Sequence, residues 1–370
     1  MIVVLLFALI TLTLVLMVTI FNVITAPMIN GRKRPDSHPS VSILVPARNE
    51  ENNIAKCLDG LLKQDYPNYT ITVLDDHSED NTAAIVKKYV KENDRVQYIK
   101  GEQLPDGWTG KNWACHQLGR SATGEILVFT DADNRHATHA LSNTIAYMDR
   151  YRLGMISAFP EQKTVTFAEK LIVPIMDLFV YGTLPLWATY YVSHPSLAAA
   201  NGQWICFTRK AYETLGGHET VKKELVEDTQ LSRIAKMRGI KTLTVAGTNA
   251  VYCRMYQNVS EVWEGFSKNF YGLTGYNPFV FTLIISIMLA GFVSPYILWL
   301  VPGVKSLALT GIGMNMMIRL LISVKYKHPV FTSVILHPIG VLFAVFIGFN
   351  SMLSIKRGRI RWKGRVISLH

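Results

Sequence analysis

At 370 residues with 49% hydrophobic side chains and a mean hydropathy of +0.19, the chain is too apolar for an ordinary soluble protein. It is long enough for one aqueous domain plus several membrane segments. A formal charge of +11 and a pI near 9.4 point to anionic lipid or an anionic substrate; the basic residues cluster beside apolar segments rather than in an aromatic-interleaved stripe, which argues against nucleic acid.

Met1 to about Ala26 is almost wholly apolar, with no preceding charge and no small-residue cleavage site, and reads as an uncleaved transmembrane helix. Gly31-Arg32-Lys33-Arg34 follows, and positive charge marks the cytoplasmic side, so residues 27–277 are expected inside. Val41 to Val45 reads as a buried strand, followed by the loop PARNEE (Pro46 to Glu51) and a helix through Ile54, Leu58, Leu61 and Leu62. Tyr69 to Leu74 is a second strand ending in Asp75-Asp76-His77-Ser78. A helix with Ile85, Val86 and Tyr89 and a strand from Val96 to Ile99 come next. Strand and helix alternate, with polar residues at the strands' carboxyl ends, as in a doubly wound nucleotide-binding half.

Gly107 to Ala114 (GWTGKNWA) carries two glycines and an early-helix lysine, Lys111, able to cradle a phosphate, although its spacing is not that of a P-loop. Ile126 to Phe129 then makes a short apolar strand of the parallel-sheet kind, ending in Asp131 and Asp133. Two carboxylates at i and i+2 beyond a strand end can face one hard divalent cation shared with substrate phosphates. The same spacing also suits a plain polar turn. A helix from His139 to Tyr151 and a strand around Met155 to Ala158 follow. Leu171 to Val192 is strongly apolar but broken by Pro174, Asp177, Gly182 and Pro185, which reads as an interfacial helix pair or as a spanning helix.

Trp204 to Thr208 is a further strand, Gly216-Gly217-His218 a loop, and Glu224 to Arg238 a helix with Glu227-Asp228 near its start. A carboxylate there also suits a helix cap. From 278 to 355 the chain is membrane-like: Phe279 to Val301 and Val330 to Leu353 are good spans, and Ser306 to Leu321 is shorter and carries Arg319. The basic tail, Lys356 to Arg365, belongs on the cytoplasmic side, which requires an even number of crossings after the aqueous domain. Either the middle segment does not cross, or Leu171 to Val192 does. Cys57, Cys115, Cys206 and Cys253 include no C-x-x-C pair, which fits reduced thiols facing a cytosol. His116, His136, His139 and His218 read as surface or helix-cap residues rather than metal ligands.

PARNEE, DDHS, DAD and ED, in this order on an α/β pattern between membrane segments, resemble the family 2 glycosyltransferases of the GT-A fold. The resemblance covers about Val41 to Asn269. W-T-G-K-x-W-A at Trp108 to Ala114, and R-M-Y-Q at Arg254 to Gln257, are similar to bacterial members acting on membrane terpenoid lipids such as carotenoids and hopanoids. The resemblance implies a doubly wound, mostly parallel GT-A sheet between N-terminal and C-terminal transmembrane helices in a bacterial cell membrane. It implies that Pro46, Ala47, Asn49 and Glu50 hold the nucleoside and that Asp76, with Asp75, contacts uracil and ribose. Asp131 and Asp133 would hold Mg²⁺ or Mn²⁺ on the diphosphate of a UDP-sugar, UDP-glucose being expected. Lys111 would lie near the nucleotide, and Asp228 would be the base of a single inverting transfer to a membrane lipid. Processive members carry Q-x-x-R-W, which this chain lacks; Arg254, Tyr256, Trp263 and Lys268 stand there instead and would supply charge and stacking. Trp263 and Phe266 suit an interfacial aromatic belt equally well. The alternatives are a processive polysaccharide synthase and a non-catalytic nucleotide-sugar-binding membrane protein.

Overall fold

The structure, a computed structural model, describes residues 1–31, 34–357, 360–362 and 365–367. Arg32, Lys33 and much of the basic tail therefore lie outside the described residues. Two compact units emerge, one of residues 27–161 and 186–254, the other of residues 1–26, 162–185 and 255–370.

The first unit is built on an eight-stranded sheet. Its strands are β1 (Val41–Ala47), β2 (Tyr69–Asp75), β3 (Val96–Lys100), β4 (Ile126–Phe129), β5 (Asn134–His136), β6 (Met155–Gln162), β7 (Ile205–Thr208) and β8 (Thr242–Cys253). The spatial order is β3-β2-β1-β4-β7-β6-β8-β5. β3, β2, β1 and β4 run parallel. β7 pairs antiparallel with β4 and with β6, and β5 antiparallel with β8, so the sheet is mixed. The nucleotide-type half is the parallel half. β5 and β8 carry no strand signal in the sequence: β5 is three residues long, and β8 continues through Ala246, Gly247 and Asn249 with no run of one hydrophobic period.

Strand side chains alternate between faces, and here both faces are covered, which is why these strands are apolar throughout. Ile43, Val45, Ile71, Val73 and Val128 point to one core with Leu58, Ile145 and Trp204. Leu44, Leu74, Leu127 and Phe129 point to the other with Leu118, Leu215 and Leu231. Register decides the site: Leu44 lies opposite Phe129 and Ala47 opposite Asp75. The residues after β1, β2 and β4 thus emerge at one edge, the carboxyl edge. Gly124 sets the approach of β4 to β1, since a Cβ there would stand 2.6 Å from the Ser42 nitrogen and 2.8 Å from the Val41 carbonyl carbon.

The second unit is helical. Ile2–Thr25, Pro278–Leu298, Lys305–Tyr326 and His337–Lys356 are each long and apolar enough to cross a membrane. Lys305–Tyr326 is longer than the expected 306–321 segment. Phe167–Thr183 has 17 residues and is not among them. A Thr166–Glu169 capping box starts it, and Pro174 sits inside it. Proline removes the N–H that would reach Lys170, and the freed Lys170 carbonyl accepts instead from Thr332 Oγ1 at 3.0 Å. The Pro174 carbonyl accepts from Arg319 Nη1 at 2.9 Å, and Asp177 faces His328 Nε2 at 2.8 Å. Buried polar side chains paired this way hold a polar-spotted helix inside an apolar unit.

Candidate functional site

The site forms where loops after β1 and β4 meet the starts of two helices. Thr130, just past β4, donates through its backbone N–H to the Leu44 carbonyl at 3.1 Å and through Oγ1 to the Gln203 carbonyl at 2.8 Å. This fixes the direction in which Asp131 leaves the strand. Helix Gly110–Ser121 is capped by Thr109, whose hydroxyl accepts from the Asn112 N–H at 3.3 Å. Buried Asn112 donates from Nδ2 to the carbonyls of Val221 at 2.7 Å and Glu224 at 3.0 Å. The start of this helix is therefore tied to the loop that leads into helix Glu227–Met237.

That tie explains how residues more than a hundred positions apart meet. Lys111 Nζ lies 2.9 Å from Asp131 Oδ1, 3.3 Å from Asp131 Oδ2 and 3.1 Å from Glu227 Oε1. Asp228 Oδ2 accepts from the Gly202 N–H at 2.8 Å, and its Oδ1 from the Thr229 N–H at 2.6 Å. Pro46, Lys111, Thr130, Asp131, Gly202, His218, Glu227 and Asp228 line one cavity.

Electrostatics follow from this crowding of acids. Burial first, then the Glu227 carboxylate, pushes Asp228 up to about 6, against the pull of Lys111 and the Gly202 and Thr229 N–H donors. Burial disfavours the charged form of Lys111, yet Asp131 and Glu227 outweigh it and hold the ammonium well above its ordinary range. Burial takes His218 down to about 3, so it is neutral, its Nδ1 2.7 Å from the Tyr212 hydroxyl.

The other expected site residues fall in four places. The loops after β1 and β2 interlock: the Asn49 N–H donates to Ser78 Oγ at 3.0 Å, Asn49 Oδ1 accepts from the Glu79 N–H at 2.9 Å, and Arg48 Nη1 donates to the Asp76 carbonyl at 2.8 Å. Asn49 takes the left-handed φ of 53° that this crossing needs. Glu50 is buried and accepts from Asn53 Nδ2 at 2.9 Å. Ala47 accepts from the Asp76 N–H at 2.8 Å, and buried Asp75 accepts from the Ser78 N–H at 3.1 Å and the Tyr98 hydroxyl at 3.2 Å. Asp133 lies on the turn after Asp131 but is not among the residues lining the cavity. Arg254 directly follows β8. Trp263 belongs to the helical unit, packed on a cluster of Leu171, Val173, Tyr256 and Phe266.

Two side chains that matter here were not singled out from sequence. Glu227 was masked by its neighbour, since ED offers two carboxylates and nothing in the string says which faces Lys111. His218, expected at the surface or at a helix cap, is buried against Phe129, with ring centroids 4.7 Å apart. His136 is likewise buried rather than at the surface or capping a helix. Its Nε2 pairs with Thr130 Oγ1 at 3.0 Å, and its ring lies tilted by 44° to that of Trp204, centroids 5.0 Å apart. His139 does stand at the N-cap position of helix Ala140–Tyr151. Asp228 is not the N-cap of its helix; Val226 is.

The donor set suits a divalent ion. Asp131 and Asp133 present hard oxygens, and no group of three or more His, Cys, Asp or Glu side chains gathers as a metal cluster among the described residues. Mg²⁺ and its like are commonly held by one or two carboxylates while keeping waters and substrate phosphates.

Residues 42–176 match the sequence model of glycosyl transferase family 2. The chain is 26% identical over 355 residues to a 4,4'-diaponeurosporenoate glycosyltransferase of Staphylococcus aureus, covering 90% of this chain and 89% of that one. To the enzyme of the same name from Staphylococcus haemolyticus it is 27% identical over 370 residues, covering 91% of each. In fold it is similar to a mannosyltransferase from Pyrobaculum calidifontis solved with GDP-Man and Mn²⁺, with a TM-score of 0.55, 17% identity, and coverage of 95% of this chain and 99% of that one.

Proposed function

We propose that the chain, which matches glycosyl transferase family 2 over residues 42–176 and has a GT-A-like sheet, moves a single sugar from a UDP-sugar, UDP-glucose foremost, to a membrane lipid of the carotenoid-acid or other terpenoid kind. The observation that carries this reading is the meeting of Asp131, Lys111, Glu227 and Asp228 around one cavity at the carboxyl edge of the parallel strands. Ligands of open α/β sheets bind at that edge. The names of the staphylococcal relatives support the acceptor class.

The loops after β1 and β2 would seat the nucleoside, with Pro46 and Ala47 against the base and Asp75 and Asp76 toward uracil and ribose. Asp131 and Asp133 would hold Mg²⁺ or Mn²⁺. Such an ion, when bound, stabilises the charge that develops on the leaving diphosphate. Lys111 adds positive charge on the same side of the donor. A hydroxyl acceptor loses its proton to Asp228 as it attacks the anomeric carbon from the face opposite the leaving group, which inverts the configuration. Asp228, raised to about 6, is basic enough for that step and still ionised at neutral pH. A carboxylate acceptor arrives ionised and needs no base; Asp228 then orients it through the loop at Gly202.

The test is turnover by the purified protein in detergent or lipid, with Mn²⁺ or Mg²⁺, UDP-sugars and a bacterial lipid extract, reading UDP release and product mass. A lipid heavier by one hexose is expected. A ladder of masses would make the protein a polymerase, and absence of metal-dependent UDP release would favour a non-catalytic nucleotide-sugar binder.

A further inference from the structure

Lys111 is engaged with carboxylates where a phosphate-binding lysine would be expected to point into open space. Its ammonium touches both oxygens of Asp131, at 2.9 and 3.3 Å, and Glu227 Oε1 at 3.1 Å. Opposite stands Gly202, where a Cβ would lie 3.1 Å from Nζ, 3.3 Å from Glu227 Oε1 and 3.6 Å from Asp228 Oδ2. A glycine thus leaves room for the lysine head between Asp131 and Glu227, with Asp228 beside it. One ammonium against three carboxylates leaves a formal charge of −2 when all are ionised. The cluster still attracts cations with Lys111 in place.

We propose that Lys111 is a positioning residue that occupies the cation position of the donor-free site and must leave Asp131 before a divalent ion binds there. Metal and nucleotide then enter together, and the lysine passes from the carboxylates to the diphosphate. The proposal rests on the reading of Asp131 as a metal-side ligand. Lysine suits this exchange, being a compact point charge on a flexible four-carbon stem that can trade one anionic partner for another. A cation already seated lowers the affinity of a second cation for the same oxygens, and the diphosphate, by drawing the lysine away, raises it. By linkage, nucleotide and metal strengthen each other's binding equally.

The experiment is Mn²⁺ binding by the full-length protein in detergent, followed by the electron paramagnetic resonance signal of free Mn²⁺, with and without UDP. Wild-type protein is expected to bind Mn²⁺ weakly alone and at least about tenfold more tightly with UDP, within the usual range of coupling between sites. Lys111→Gln and Lys111→Met are expected to bind Mn²⁺ about tenfold more tightly than wild type without UDP and to lose most of the UDP effect, whereas Lys111→Arg keeps the wild-type pattern. A lysine serving only the fold or only the phosphates would not tighten metal binding when removed. Unchanged or weaker Mn²⁺ binding in Lys111→Gln, with its melting temperature preserved, overturns the proposal, as does wild-type Mn²⁺ affinity that is indifferent to UDP. Absence of Mn²⁺ binding in every variant with UDP present would instead overturn the metal reading of Asp131 and Asp133, which separates the two failures.

Discussion

At the scale of single residues, the proposed chemistry is tested at Asp228 and Asp133. Asp228→Asn keeps the shape and one acceptor oxygen for Gly202 but removes the carboxylate proposed as the base. Transfer to a hydroxyl acceptor is expected to fall by on the order of a hundredfold or more, and a near-wild-type rate with a carboxylate acceptor would identify that acceptor class. The raised carboxyl of Asp228 also links activity and stability to pH with opposite signs. Between its ordinary 3.8 and about 6 the folded protein holds a proton that the unfolded chain has released. Stability therefore falls as pH rises through that window and is level above it, while base catalysis rises through the same window. Melting curves and rate profiles of wild type against Asp228→Asn check this; the variant should lose both slopes. Asp133→Asn is expected to abolish turnover and its dependence on Mn²⁺ while leaving the melting temperature within a few degrees, and unchanged activity would remove Asp133 from the metal site. Asp131 stood out in the string because it follows a strand end, and Asp228 because it opens a helix. Glu227 and Lys111 as partners were not, since what joins them is Asn112 reaching the carbonyls of Val221 and Glu224.

At the scale of elements, the parallel strands were legible because strands covered on both faces read as short apolar runs between polar turns. β1, β2, β3 and β4 lie within two residues of where those runs place them. β8 was not legible, because its threonines and small residues are buried by the sheet neighbours it acquires rather than by any pattern of its own. The approach of β4 to β1 yields a sharp expectation. Gly124→Ala drives a methyl into the backbone of Val41 and Ser42, which cannot yield as a flexible side chain would. A loss of roughly 1–3 kcal/mol is expected from such overpacking, read as a lower melting temperature, with the donor affinity of the remaining folded protein also reduced because Asp131 follows β4. An unchanged melting temperature would mean the strands separate freely at that point. In the helical unit, Thr332→Val removes the hydroxyl that serves the Lys170 carbonyl left free by Pro174. About 1 kcal/mol is expected to be lost, and equal stability would show that carbonyl served otherwise.

At the scale of the whole molecule, the chain divides between a sheet unit and a helical unit whose four longest helices suit a bilayer. All four cysteines are free and buried, and burial drives the Cys57 and Cys115 thiols upward, away from the reactive thiolate. Native protein is therefore expected to resist a maleimide until unfolded. A cysteine placed at exposed Asp106 then reports the side on which the catalytic unit lies. With the unit in the cytoplasm, Asp106→Cys labels in inverted vesicles and not in intact cells, and labelling of intact cells would reverse the topology. Phe167–Thr183 carries Glu169, Pro174 and the Asp177–His328 pair and falls short of a span in length. Its apolar stretch was legible in sequence, but its partners were not, because Thr332, Arg319 and His328 lie some 150 residues further along.

The sequence by itself determined the class of the protein: apolar runs long enough for helices in a bilayer, an α/β alternation between them, and acidic motifs at strand ends. Each of these depends on local period and local chemistry, which a string displays. The tertiary structure alone decided which carboxylate faces Lys111, that Gly202 rather than a larger residue closes the cluster, that His136 and His218 are buried and neutral, and how the second half of the sheet is ordered. Those outcomes depend on contacts between residues far apart in the chain, and such contacts come from strand register and from single side chains like Asn112 that pin one loop to another.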